Sequence, residues 1–353
     1  MTASDPEVIA VRADERIEAG RLEGWLRERL PGAEGAFSIA QFGGGHANLT
    51  YLIRFGGREY VLRRPPLGPL APTSHDMARE HRVLERLWER YPLAPRSHLY
   101  CGYKDIIGAE FHVMERRQGM AIRTTLPEDH DWTPELCRRL GEGVVDVLAE
   151  LHRVDAAAVG LGDLGRPEGF LARQLEGWSR RWEAAKDADA PQVMTGLAQW
   201  LGRGLPRGGP AALLHNDFKL DNMLVDAADP ERIAAVLDWD MCTRGDPLAD
   251  LGYVLTFWGE AGDAPAWIEA ASMPTWVSGF PTRDDVVERY ARATGFDCSD
   301  VLWYHVFGVF KIAVILQQIY IRYLRGQTQD ARFAVFGRRV AGLADKGRVL
   351  AGL

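Results

Sequence analysis

Apolar positions change their rhythm along this chain, and the changes outline its architecture. Ile17, Leu22, Trp25 and Leu26 recur at helical spacing, which predicts an amphipathic helix over residues 15–30. The residues before it, up to about Ile9, are expected to be frayed. From about Phe37 to Arg117, short apolar runs alternate with polar turns, predicting strands with one helix among them. The Gly56-Gly57 turn separates a strand reaching Ile53 from another over Glu59-Tyr60-Val61-Leu62-Arg63. The helix places Met77, Glu80, Val83, Leu84 and Leu87 on an inward face, with Thr73 and Ser74 as its expected caps. Residues 110–119 read as a strand running into a linker. After Gly119 the period becomes mostly helical. Thr133 and Pro134 open a helix whose stripe is Leu136, Leu140, Val144, Val147, Leu148 and Leu151. The pattern predicts an α+β chain, with a small sheet-rich part over residues 1–117 and a larger, mainly helical part over 118–353.

The helical part is interrupted once. Leu205-Pro206-Arg207-Gly208-Gly209-Pro210 is a breaker, and the short apolar runs Leu213-Leu214 and Met223-Leu224-Val225 follow it. A turn-rich stretch leads from there to Ile233-Ala234-Ala235-Val236-Leu237, so the last two runs predict a hairpin. Asn222 precedes its first strand and Asp238 follows its second. A neutral oxygen and a carboxylate so placed suit a hard cation, with nucleotide phosphates and water completing its shell. Asp217, five residues before Asn222, enters the hairpin from a loop, where a carboxylate can orient the proton of an incoming hydroxyl. Asp and Asn also serve as plain turn formers; the two segments together, with a hairpin between them, favour chemistry. His215, at a strand end, reads as a hydrogen-bonded scaffold residue. Asp246-Pro247 reads as a helix cap followed by proline, so Asp246 is structural. Asp240 fits either a second metal or water site or a brace for its loop.

The apolar run over residues 301–316 invites a membrane reading, but His305 and Lys311 interrupt it and Gln317-Gln318 closes it. A buried helix is the better account, with Lys311 reaching the surface along its apolar stem or contacting an anion. Composition adds little against this. The 353 residues are 46% hydrophobic and carry 42 basic and 49 acidic side chains, a formal net charge of −7, which gives no support to nucleic-acid binding. Cys101, Cys137, Cys242 and Cys298 form no C-x-x-C pair or zinc spacing. Reduced thiols in a cytoplasmic protein are expected, with no membrane partner.

His215-x-Asp217-x-x-x-x-Asn222, then a strand and Asp238-Trp239-Asp240, resembles the aminoglycoside phosphotransferase and choline kinase superfamily. That resemblance implies a protein-kinase-like two-lobe fold, with Asp217 as the catalytic carboxylate, Asn222 and Asp238 as Mg²⁺ ligands, and ATP or GTP as phosphoryl donor. Gly43, Gly44 and Gly45 make a turn between strands whose backbone can approach phosphates, and Asn48 closes it. Relatives carry a hydroxyl residue where this chain has Ala47. Arg63 stands where the family places its phosphate-binding lysine, and Glu80 resembles the helix glutamate that pairs with that cation. The segment around Met114 resembles the hinge that receives the nucleotide base, through the carbonyl of Glu115 and the amide of Arg117. The stretches 61–66, 160–167, 171–174 and 310–318 are similar to the kinase-like domain that precedes acyl-CoA dehydrogenase domains in certain animal proteins. This implies a hydroxy-acid or hydroxyacyl-CoA acceptor. Two other readings stand beside it: an aminoglycoside or macrolide phosphotransferase, and a nucleotide-binding module without catalysis.

Overall fold

The computed structural model describes residues 7–44, 48–68, 75–128, 130–328 and 330–353. It divides into two compact units. Unit 1 is Met1–Gln118 with Ala235–Cys242, and unit 2 is Gly119–Ala234 with Thr243–Leu353. Unit 1 runs one residue past the expected division at 117 and 118, and it also takes in Ala235–Cys242, the end of the hairpin's second strand and the segment after it. The reason is local packing. The Val236 amide donates to Leu93 O at 2.9 Å, and the fully buried Trp239 meets Tyr91 edge-on at 5.8 Å.

Unit 1 contains β1 (Val8–Ile9), α1 (Ala19–Arg27), β2 (Phe37–Phe42), β3 (Leu49–Phe55), β4 (Arg58–Arg64), α2 (Met77–Leu87), β5 (Ser97–Cys101) and β6 (Phe111–Glu115). The strands form one sheet in the order β1-β2-β3-β4-β6-β5, every neighbouring pair antiparallel. Alternation along the strands sorts the faces. Tyr51, Ile53, Phe55, Leu62, Phe111 and Val113 pack with Leu22 and Leu26 of α1 in one apolar core. The α1 helix is shorter than its apolar pattern predicts, because the Glu18 carboxylate accepts the Gly20 and Arg21 amides and fixes its start. Val8 and Ile9 are not frayed; they pair with Phe42 and Gln41. The α2 helix is capped by Asp76, which accepts the Arg79 amide at 2.9 Å. The expected caps Thr73 and Ser74 lie outside the described residues, as does Ala47.

Unit 2 is mainly helical: α3 (Pro134–His152), α4 (Phe170–Ala185), α5 (Val193–Arg203), α6 (Leu248–Phe257), α7 (Pro265–Ala270), α8 (Arg283–Thr294), α9 (Val301–Leu324) and α10 (Phe336–Ala351). Between α5 and α6 run β7 (Ala212–Leu214), β8 (Met223–Val225), β9 (Ile233–Val236) and β10 (Thr243–Gly245). The hairpin β8-β9 forms as its apolar runs predict. The three-residue β10 was not legible, since Thr-Arg-Gly carries no strand signal; it pairs with β7 through Thr243↔Leu214 and Gly245↔Ala212. The α9 helix is long and apolar enough by composition to cross a membrane, and most of its apolar window is buried among α4, α6 and α10.

Two glycines let α6 and α9 approach. A Cβ added at Gly308 would lie 2.5 Å from Gly252 O and from Thr256 Oγ1, and one at Gly252 would strike Tyr304 O. Gly308→Ala is therefore expected to destabilise the protein by about 1–3 kcal/mol through overpacking. Urea denaturation measures this, and an unchanged midpoint would show that the two helices separate freely.

Candidate active site

In unit 1 the strand register sets the chemistry. Arg63 on β4 lies opposite His112 on β6, so both side chains leave the same face of the sheet. The α2 helix brings Glu80 to them from within its own apolar stripe. Glu80 Oε1 accepts from Arg63 Nη1 and from the Trp239 amide at 3.3 Å, and its Oε2 lies 3.2 Å from His112 Nε2. Arg63 Nη2 donates to Asp238 Oδ1 at 2.7 Å. One buried guanidinium thus joins the α2 carboxylate to the aspartate that follows β9.

These groups set one another's ionisation. Burial alone would raise Glu80, but Arg63, then His112 and the Trp239 amide, outweigh it and hold the carboxyl down to about 2. Burial disfavours the charge on Arg63, and Glu80, Asp238 and Asp240 outweigh it, so the guanidinium is firmly protonated. Asp240 is driven the other way, up to about 7, by burial first and then by the charges of Asp238 and Glu80. Asp240 Oδ2 accepts from Asn48 Nδ2 at 3.2 Å, and Asn48 Oδ1 lies 2.8 Å from His75 Nδ1. Asp238 has φ +67°, a left-handed conformation for a non-glycine residue that costs about 1–3 kcal/mol and persists where its surroundings impose it.

The glycine turn needs a correction. The Gly43 amide donates to Glu7 O at 2.9 Å and its carbonyl accepts from Arg12 Nη2 at 3.1 Å, so Gly43 is spent on bracing the β2 end. Gly44 is exposed; Gly45 lies outside the described residues. Met114 is buried in β6 between Val61 and Ser97. The Glu115 amide donates to Arg96 O at 2.8 Å, and the Arg117 guanidinium to Pro92 O at 2.7 Å, which fixes the strand exit.

In unit 2 the loop after β7 is held from behind. Asp250 on α6 is buried, and it accepts the His215 amide on Oδ2 at 2.6 Å and the Asn216 amide on Oδ1 at 2.9 Å. Burial would raise Asp250, but His152 and the His215 groups reverse it and keep the carboxyl low. Asn216 adopts φ +67°, and its carbonyl accepts from Lys311 Nζ at 3.3 Å. That turn presents Asp217. Asp217 Oδ1 accepts from the Tyr253 hydroxyl and faces Lys219 Nζ at 3.2 Å, while Oδ2 accepts from Asn222 Nδ2 at 2.6 Å. The fully buried His215 ring packs edge-on against Phe218, and its Nδ1 accepts the Asp217 amide at 3.3 Å. Asp246 accepts the Leu248 amide at 3.0 Å, the Gly209 amide at 2.9 Å and the Tyr304 hydroxyl at 2.8 Å.

Lys311 departs from expectation. It does not reach the surface: it is 8% exposed, its ammonium lies 4.7 Å from the Tyr253 ring centroid, and burial lowers its pKa. Sequence reasoning also missed roles for His112, Lys219, Asp250 and Tyr253. For the last two a signal exists: they stand three apart on one helix, hence on one face. His112 had none, because cross-strand register is not written in either strand alone.

The sequence pattern of the phosphotransferase enzyme family matches residues 38–298. The chain is 34% identical over 355 residues to acyl-CoA dehydrogenase family member 11 of Gallus gallus, covering 98% of this chain and 45% of that protein. It thus spans less than half the length of the curated relatives it matches. A protein of Ralstonia eutropha provisionally termed an aminoglycoside phosphotransferase superposes with a TM-score of 0.80 at 28% identity, over 96% of this chain and 99% of that one. Aminoglycoside phosphotransferase APH(4)-Ia, in ternary complex with ADP and hygromycin B, shares the fold at a TM-score of 0.58 and 18% identity, over 92% of this chain and 98% of that one. The fold is the protein-kinase-like, two-lobe α+β fold of these enzymes.

Proposed function

Because the chain belongs to the phosphotransferase enzyme family, we propose that it transfers the γ-phosphoryl group of ATP or GTP to a hydroxyl of a small anionic acceptor, a hydroxy acid or hydroxyacyl-CoA. The setting of Asp217 carries this reading: a carboxylate presented by a strained turn, braced by Asp250, and flanked by Asn222 and Lys219. Phosphoryl transfer asks a protein mainly for positioning and charge neutralisation. Asp217 accepts and orients the proton of the acceptor hydroxyl. Arg63, held by Glu80, and the glycine turn at Gly44 and Gly45 are assigned to the nucleotide phosphates. Met114, Glu115 and Arg117 are assigned to the base.

Asn222 and Asp238 each carry a hard oxygen of the kind a divalent cation takes. The Asn222 amide nitrogen is turned to Asp217, which presents its oxygen elsewhere, and Asp238 is crowded by the carboxylate of Asp240. Among the described residues, no three His, Cys, Asp or Glu side chains make a metal group, so nucleotide oxygens complete the shell in this reading. Mg²⁺ held by Asn222 and Asp238 would supply charge neutralisation at the transferring phosphoryl oxygens.

Electrostatics favours an anionic acceptor over a cationic antibiotic. Lys311 stands within electrostatic reach of two carboxylates, Asp250 and Asp217, and of two further cations, Arg181 and Lys219, so positive charges outnumber negative ones in this group. The relatives that carry acyl-CoA dehydrogenase in their names point the same way. The test is incubation with ATP or GTP, Mg²⁺ and a panel of hydroxy acids, hydroxyacyl-CoAs, aminoglycosides and macrolides, read by mass spectrometry. A gain of one phosphate on an acid or acyl-CoA is expected. Product on an aminoglycoside or macrolide alone would replace this acceptor class with antibiotics. Nucleotide binding with no product would leave a non-catalytic module.

A further inference from the structure

We propose that Tyr253 is a positioning residue that decides which oxygen of Asp217 receives the acceptor's proton; this rests on the kinase reading above. A carboxylate offers about four acceptor positions. On Asp217, Oδ1 is occupied twice, by the Tyr253 hydroxyl and by Lys219 Nζ at 3.2 Å, and Oδ2 once, by Asn222 Nδ2 at 2.6 Å. Among the described residues no further partner of Oδ2 is found, so the fourth position, on Oδ2, is the one open to an incoming hydroxyl. Rotation of the carboxylate about its Cβ–Cγ bond would exchange the two oxygens. Tyr253 and Asn222, donating to opposite oxygens, resist that rotation.

Tyr253 suits the task because it is itself held. It is 5% exposed, so its side chain is held by packing. Its ring meets Phe257 edge-on at 5.0 Å, and the Lys311 ammonium sits 4.7 Å from its centroid while donating to Asn216 O. The same lysine therefore holds the tyrosine ring and the turn that presents Asp217. The α6 helix adds the rest, since Asp250 and Tyr253, one turn apart, hold the loop backbone and the Asp217 side chain respectively. The geometry is preorganised before any acceptor arrives, which is where such contacts gain their effect.

The test is Tyr253→Phe, which deletes one hydroxyl and keeps the ring. Release of nucleoside diphosphate from Mg²⁺-ATP or Mg²⁺-GTP is the readout, with water as acceptor, repeated with any acceptor the screen identifies. We expect kcat to fall by about 10- to 100-fold, the range for losing a hydrogen bond to a charged group. ATP affinity and the unfolding midpoint should hold. In an Asp217→Asn background, the same substitution should have no further effect on residual turnover. Lys311→Met should reproduce the kcat loss in weaker form and be non-additive with Tyr253→Phe. If Asp217→Asn abolishes turnover but Tyr253→Phe leaves kcat intact, Tyr253 is a packing residue and the inference is wrong. If Tyr253→Phe lowers kcat equally in the presence and absence of the Asp217 carboxylate, it acts by another route and the inference again fails. If the wild-type protein releases no nucleoside diphosphate from ATP or GTP with any acceptor, the kinase reading falls and takes this inference with it.

Discussion

Asp217→Asn is expected to reduce turnover by about 10²- to 10⁴-fold, the usual contribution of a positioned general base. The substitution preserves shape and removes charge. The amide oxygen can still accept from the Tyr253 hydroxyl or Lys219, so the loop stays seated on Asp250 through the His215 and Asn216 amides. What is lost is an acceptor for the substrate proton as the new P–O bond forms. Nucleotide binding should persist, because Arg63, Glu80 and Asp238 lie in a network without Asp217. Calorimetry with Mg²⁺-ATP, beside initial rates, separates the two quantities. Turnover at the wild-type level would remove Asp217 from the chemistry altogether.

Glu80→Ala is expected to destabilise the protein by about 3–5 kcal/mol, the cost of leaving a buried charge without its partner. Glu80 and His112 are fully buried and Arg63 nearly so. Removing the carboxylate takes from the buried guanidinium its strongest charge partner, leaving Asp238 and Asp240 to answer it, and removes the Glu80 acceptor of the Trp239 amide. The same carboxylate gives stability a pH dependence of definite sign. Its pKa is depressed in the folded state, to about 2 from an ordinary 4.5, so its stabilisation is complete above the ordinary value and is lost as pH falls toward the folded one. The gap corresponds to about 3 kcal/mol in order of magnitude. Denaturation curves between pH 5 and pH 2, a window of roughly this kind, should steepen for the wild type. Glu80→Gln should flatten that limb while keeping much of the packing. A limb of equal size in Glu80→Gln would assign acid sensitivity to other carboxylates.

Much of the site was legible because its residues are close in sequence or tied to local periodicity. The Asp217 and Asn222 spacing falls within one loop and a single 3₁₀ turn, Leu220–Asn222. The hairpin carries from Asn222 to Asp238 in one reversal. Glu80 sat among Met77, Val83, Leu84 and Leu87 at helical intervals, and a charge on an apolar stripe announces a buried partner. Where the pattern misled, a longer-range contact had intervened. The Gly43 amide is taken by Glu7 O, just before the first strand, and Lys311, which could extend to water from an isolated helix, is packed against Tyr253 and Trp178.

The amino-acid order alone determined the α+β class, the positions of α1, α2, α3, α9 and the β8-β9 hairpin, and the candidate chemistry at Asp217, Asn222 and Asp238. Hydrophobic period and short-range spacing are properties of a linear string, so they can be read from it. Only the folded chain decided that Arg63 bridges Glu80 and Asp238, that Asp250 and Tyr253 hold the loop carrying Asp217, and that residues 235–242 pack with unit 1. Those facts depend on strand register and on which helix faces meet. They are set by the mutual burial of side chains far apart in number, and no local stretch of sequence encodes them.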